Sequence, residues 1–174
     1  VLDILVQPDD KIVVGGRFSE IGNQPHHNLA RLNPDGSLDS AFAPDFNNSI
    51  RALAIQSDGK ILAGGVFSVV DGQAHAGIAR LNPDGSLDTG FNAQVDGDVS
   101  ELALQSDGKI LVGGWFSAVN ELPRRSLARL NADGTLDEAF NVHSAYMDVY
   151  ALAVQPDDNI LVGGNIEDVS GEDW

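Results

Sequence analysis

The chain has 174 residues, 43% of them apolar, and sets 26 acidic side chains against 10 basic ones for a formal charge of −16, a globular but strongly acidic composition. That balance disfavours DNA, RNA and anionic membranes, whose binding needs Lys and Arg against phosphate, and suits cationic partners, divalent ions or a salty medium. The absence of cysteine excludes disulfides, thiol catalysis and thiolate metal sites, and no apolar run reaches the roughly 18 residues of a membrane helix.

Most of the acids are Asp, a residue of caps and turns, so much of the charge is read as turn chemistry. The chain starts at Val1 rather than Met, as an excised or processed piece of a longer chain would. The lack of an export signal is therefore no evidence for the cytoplasm.

Taken in order, the sequence repeats with a period of about 49 residues. Val1 opens VLDILVQPDDKIVVGGRFS, Ile50 opens IRALAIQSDGKILAGGVFS, Val99 opens VSELALQSDGKILVGGWFS and Val149 opens VYALAVQPDDNILVGGNIE. A second block recurs as LARLNPDGSLDSAF, IARLNPDGSLDTGF and LARLNADGTLDEAF from Leu29, Ile78 and Leu127. The units are 1–49, 50–98, 99–148 and a partial 149–174.

In the second unit, Ala52 to Gln56 is a predicted strand ending at the hairpin signal Ser57-Asp58-Gly59, and Lys60 to Phe67 is the next. A variable loop, the strand Ile78 to Leu81, the turn Asn82-Pro83-Asp84-Gly85 and a last extended piece, Leu87 to Phe91, complete it. No helical period intervenes, so neighbouring strands should be antiparallel.

Both faces of the first two strands are apolar: Leu53 and Ile55 oppose Ala52 and Ala54, and Ile61 and Ala63 oppose Leu62. A sheet wetted on one face would alternate apolar with polar, whereas a sheet between two neighbours needs both faces dry. The expected fold is all-β: tandem antiparallel four-stranded blades forming a β-propeller or part of one. A β-solenoid is the runner-up, set aside because its rungs are usually shorter.

The pattern V-x-A-L-A-x-Q-x-D-G-K-I-L-V-G-G-x-F-S followed by L-A-R-L-N-x-D-G-S-L-D-x-x-F resembles the bacterial delta-60 repeat over almost the whole chain, departing at Asp10 and Asp158, where the turn Gly is replaced. The resemblance implies a β-propeller in secreted or surface-attached bacterial proteins without a defined enzymatic activity. It carries no functional residues over.

Asp-rich turns such as Arg31 to Asp39 invite a calcium reading, since calcium takes several oxygens at once. Arg31, Arg80 and Arg129, however, stand where the first carboxylate should be, so a structural turn with an exposed Arg31–Asp39 pair is expected, and no cofactor. The pairs Gly15-Gly16, Gly64-Gly65, Gly113-Gly114 and Gly163-Gly164 lie within strands rather than opening a helix, which favours close approach of neighbouring sheets or a bulge over a phosphate loop. His26 and His75 share one place in the repeat and Arg124 takes it in the third unit; adjacent blades set such residues too far apart to share an ion.

What the fold requires recurs, so what varies between units marks the surface open to function: Glu20 to His27, Val69 to Ala76 and Ala118 to Arg125, with the links Ala43 to Ser49, Ala93 to Asp98 and Val142 to Asp148. Asn23, His26, His75, Arg124 and Arg125 are the candidate contact residues. The expected function is a non-catalytic binding or adhesion module, extracellular or on a bacterial cell surface, for a glycan or protein ligand. Two alternatives are a structural repeat that self-associates head to tail and an enzyme acting on glycans from a propeller scaffold. No catalytic or metal-binding residue is assigned, and neither nucleic acid nor membrane insertion is expected.

Overall fold

The computed structural model describes residues 1–142 and 144–169 and builds them from strands and turns, with no helix among the described residues. The first unit comprises β1 (Asp3–Val6), β2 (Ile12–Gly15), the two-residue strands β3 (Glu20–Ile21) and β4 (Gln24–Pro25), and β5 (Leu29–Leu32). The second repeats the order in β6 (Ile50–Ile55), β7 (Ile61–Gly65), β8 (Val69–Val70), β9 (Gln73–Ala74) and β10 (Ile78–Leu81). The third has β11 (Asp98–Leu104), β12 (Ile110–Trp115), β13 (Ala118–Val119), β14 (Leu122–Pro123) and β15 (Leu127–Leu130), and the fourth has β16 (Ser144–Val154) and β17 (Ile160–Val169).

Each full unit is one antiparallel sheet in the order β1-β2-β5, β6-β7-β10 or β11-β12-β15. The expected fourth strand shrinks to one bridge per unit, Leu38 on Leu32, Leu87 on Leu81 and Leu136 on Leu130. The chain cannot run on as a strand because Asp88 turns it: the Asp88 N–H bonds Arg80 O at 2.9 Å and the Phe91 N–H folds back to Asp88 O at 3.1 Å.

The segments expected to be variable loops hold a small hairpin instead, with both central residues in the left-handed region that a two-residue type I′ turn demands: Gly22 and Asn23, Asp71 and Gly72, Asn120 and Glu121. The link from the preceding unit lies along that hairpin, Phe46 bridging Val70 and Val95 bridging Val119.

The core sits between the sheets. One cluster joins Val13, Leu29 and Phe42 of the first unit to Ile50, Leu53, Ile61 and Ala63 of the second. The next joins Ala52, Ala54 and Leu62 of the second to Val99, Leu102, Ile110 and Val112 of the third. Alternate residues of one strand thus serve two different cores, which is why neither face can be polar.

In the second and third units the two glycines of the pair divide the work. A Cβ on Gly64 would stand 2.6 Å from Val99 Cγ1, so the first glycine lets the next sheet close in. A Cβ on Gly65 would fall on Ser49 O, across from the register shift between Ile50 and Ala52, so the second faces a β-bulge.

Candidate functional site

The repeated charges are consumed by the fold. Asp88 Oδ2 accepts from Lys60 Nζ at 2.8 Å and from Arg80 Nε at 2.8 Å, and the same three-membered cluster forms as Lys11–Asp39–Arg31 and Lys109–Asp137–Arg129. The Arg31 and Asp39 side chains are only 9% and 12% exposed, so this pair is buried rather than exposed as the sequence suggested, and Lys11 is its third member. The Lys60 hydrogen bond, opposed by burial and reinforced by Gly90 N–H and Arg80, holds the Asp88 carboxyl down at about 2.

Each guanidinium also stacks on the phenylalanine three residues beyond its Asp partner, Arg31 on Phe42 at 4.3 Å and Arg80 on Phe91 at 4.6 Å. Its Nη1 then crosses to the next unit, Arg31 to Pro83 O and Arg80 to Ala132 O, each at 2.6 Å. In the Asp-Gly turn, Asp35 Oδ1 accepts from the Ser37 N–H at 2.9 Å and from Ser37 Oγ at 2.6 Å, which lowers its pKa and commits that oxygen to the turn. Among the described residues no group of three His, Asp or Glu side chains gathers to hold a metal ion.

The five candidate contact residues do not form one cluster. Asn23 is an exposed turn residue with φ 61°, present because the hairpin needs a left-handed position. His26 and His75 are 9% and 5% exposed, and burial lowers the pKa of His75; neither offers much surface. Arg124 lies back on its own hairpin, donating from Nη1 to Pro123 O at 2.7 Å and from Nη2 to Glu138 O at 3.3 Å. Arg125 is exposed and lines a groove.

That groove, of about 300 Å³, opens between the link into the third unit, the end of β12 and β16, and is lined by Asp96, Trp115, Ser117, Arg125, Ser126 and Asp148 among others. Its floor depends on Gly97, where a Cβ would fall on the carbonyl oxygen of Trp115 and lie 3.0 Å from Phe116 Cβ. Burial would push the Asp96 carboxyl up, but hydrogen bonds from Ser117 Oγ (2.5 Å), Ala118 N–H (2.8 Å) and Ser117 N–H (2.8 Å) outweigh it and keep the group ionised.

Trp115, at the end of β12, is 67% exposed beside this charge. The corresponding places hold Arg17 and Val66 in the first two units, and the places matching Arg125 hold His27 and Ala76. An indole face, a guanidinium and two carboxylates converge here, where the third unit departs from its copies.

Sequence reasoning missed Trp115 because attention went to loops, and this residue closes a strand. The signal was there: its column varies between units as widely as any loop position.

A comparison with curated proteins gives no match. The family model described as domain of unknown function DUF5122, a β-propeller, matches residues 7–42, 56–91 and 105–140. Each match begins at the Gln that closes the first strand and ends at the Phe or its equivalent that stacks under the Arg, spanning the turns, the charged cluster and the stacked ring just described. Half the chain and more is thus accounted for, and the chain belongs to this β-propeller repeat family.

Proposed function

We propose that this chain is a non-catalytic recognition module whose ligand is a glycan seated in the groove at Trp115. The observation that carries the reading is the exposed indole itself: a large apolar face left in water beside ionised Asp96 and Arg125 is costly unless a ring covers it. A sugar ring offers both matches, its C–H face to the indole and its hydroxyls to carboxylate and guanidinium. A place outside the cell, on or near a bacterial surface, is supported by the delta-60 likeness of the repeat.

The test uses a Trp174→Phe background, so that Trp115 is the single indole, and follows its fluorescence during titration with neutral and acidic oligosaccharides. Saturable quenching by at least one class is expected. Trp115→Ala, read by calorimetry with the same sugar, should weaken binding by ~10-fold or more while moving the unfolding midpoint little, since the side chain is exposed. No perturbation by any class, or full binding by Trp115→Ala, would refute the proposal.

A further inference from the structure

The groove at Trp115 carries more charge than the fold asks of it. Asp96 has a counterpart one repeat earlier in Asn47, and the two do the same structural work. Asn47 Oδ1 accepts from the Ser68 N–H at 3.0 Å and the Val69 N–H at 3.1 Å, as Asp96 Oδ1 accepts from the Ser117 and Ala118 N–H groups, both at 2.8 Å. Asn47 Nδ2 donates to Ser68 Oγ at 3.1 Å, where Asp96 accepts from Ser117 Oγ. A neutral amide thus fixes the start of the small hairpin equally well, and the negative charge of Asp96 is surplus to that task.

Two further replacements fall at the same place. Trp115 stands where the second unit has Val66, and Ser100 where it has Arg51, the residue that pairs at 3.1 Å with Asp98, the counterpart of Asp148. The lining sets two carboxylates, Asp96 and Asp148, against one guanidinium, Arg125. The third unit shares a core with the second on one side and with the fourth on the other, so the groove lies among packed units. A ligand resting on the indole meets the negative face of its quadrupole, which attracts cations, and the formal charge of −16 gives the surrounding field the same sign.

Granted the glycan reading, on which this rests, we infer that the groove selects sugars bearing a protonated amine over the N-acetylated and uronic forms of the same ring. The ring covers Trp115 while its ammonium is drawn to the carboxylates of Asp96 and Asp148. Acetylation removes the cation and keeps the ring, so a neutral sugar retains the stacking contact and loses the electrostatic one. A uronic carboxylate meets like charge in the lining and in the field around it.

The test follows quenching of Trp115, in the Trp174→Phe background, by three oligosaccharides of one length: β-linked glucosamine, its N-acetylated form and a uronic-acid oligomer. At about 0.01 M salt the amino sugar should bind ~10-fold more tightly than the acetylated one, and the uronic oligomer should bind weakest. Near 1 M salt, where screening acts within about 3 Å, the margin should shrink to ~2-fold or less. Asp96→Asn keeps the hairpin bonds in the manner of Asn47 and should cut the ratio of the two affinities by ~3-fold or more. Binding of the acetylated sugar with no preference for the amine would overturn this inference and leave the glycan reading standing, whereas no binding by any of the three would overturn both. Full preference in Asp96→Asn, or oligolysine of equal charge quenching Trp115 as tightly as the amino sugar, would also overturn it.

Discussion

Replacing Asp88 by Asn tests whether the buried Lys–Asp–Arg cluster stabilises the sheets through its charge. Asp88 lies in the second unit, which has a neighbour on each side, and its side chain is 14% exposed, beside Arg80 at 10% and Lys60 at 28%, so solvent screens little of the interaction. Its carboxyl titrates at about 2 in the folded chain against a reference of 3.8. At about 1.4 kcal/mol per pKa unit, the ionised form contributes roughly 2 kcal/mol. Asn keeps the shape and one acceptor but leaves two cations facing a neutral group, so the loss at neutral pH should be about 2–4 kcal/mol.

The pH dependence separates charge from packing. A carboxyl whose pKa falls on folding stabilises fully above its unfolded value, and the benefit fades as pH drops through the folded value. Urea unfolding followed by circular dichroism should therefore show wild type and Asp88→Asn apart at neutral pH and drawing together between about pH 4 and pH 2, because the amide does not titrate. Other acids titrate in both proteins and cancel. An undiminished gap near pH 2, or no gap at neutral pH, would refute the reasoning.

The glycine pairs give a matched comparison. Gly113→Ala puts a methyl 2.5 Å from Val149 and should cost about 1–3 kcal/mol by overpacking, whereas Gly163→Ala meets, among the described residues, only Ala151 and should be neutral or gain about 0.5–1 kcal/mol in urea unfolding; equal effects would contradict the roles assigned to the two positions. Asp10 and Asp158 take the left-handed turn position that Gly59 and Gly108 occupy in the middle units, with φ 62° at both. Asp10→Gly should raise stability by about 0.5 kcal/mol, measured by the denaturant midpoint. Asp158→Gly should raise it less, because the Asp158 carboxylate also accepts from Ser106 Oγ at 2.6 Å.

What the sequence made legible was whatever repeats and whatever is local. The period is read by comparing whole copies, and the antiparallel order, the apolar character of both faces and the pairing of Arg31 with Asp39 follow from residues a few places apart. The hairpins β3–β4, β8–β9 and β13–β14 were less visible: two-residue strands carry no alternation, and Pro25 and Pro123 argue against a strand. Gly22-Asn23 and Asp71-Gly72 did advertise a tight turn.

The third member of each charged cluster lies 28 residues from its carboxylate, as with Lys11 and Asp39, and the bond from Arg31 to Pro83 O spans 52. No local pattern encodes separations of that length. Nor does any pattern say that His26 and His75, alike in sequence position to Arg124, are covered while the groove opens one residue further on, at Arg125.

The crossing of Arg31 to Pro83 O and of Arg80 to Ala132 O means that the repeating segment of sequence is out of phase with the segment that holds together. A duplicated period carries half of each of two joints, and neither half is satisfied inside the period. Length can therefore change only in whole periods: excising one complete unit would bring Arg31 to the turn that Arg80 now meets, with the same carbonyl offered, whereas a partial excision would strand a guanidinium and a glycine without their counterparts. Such an architecture tolerates gain and loss of entire copies while resisting insertion or deletion within one, and so leaves the ends of each β-strand and the small hairpins as the places where copies are free to diverge.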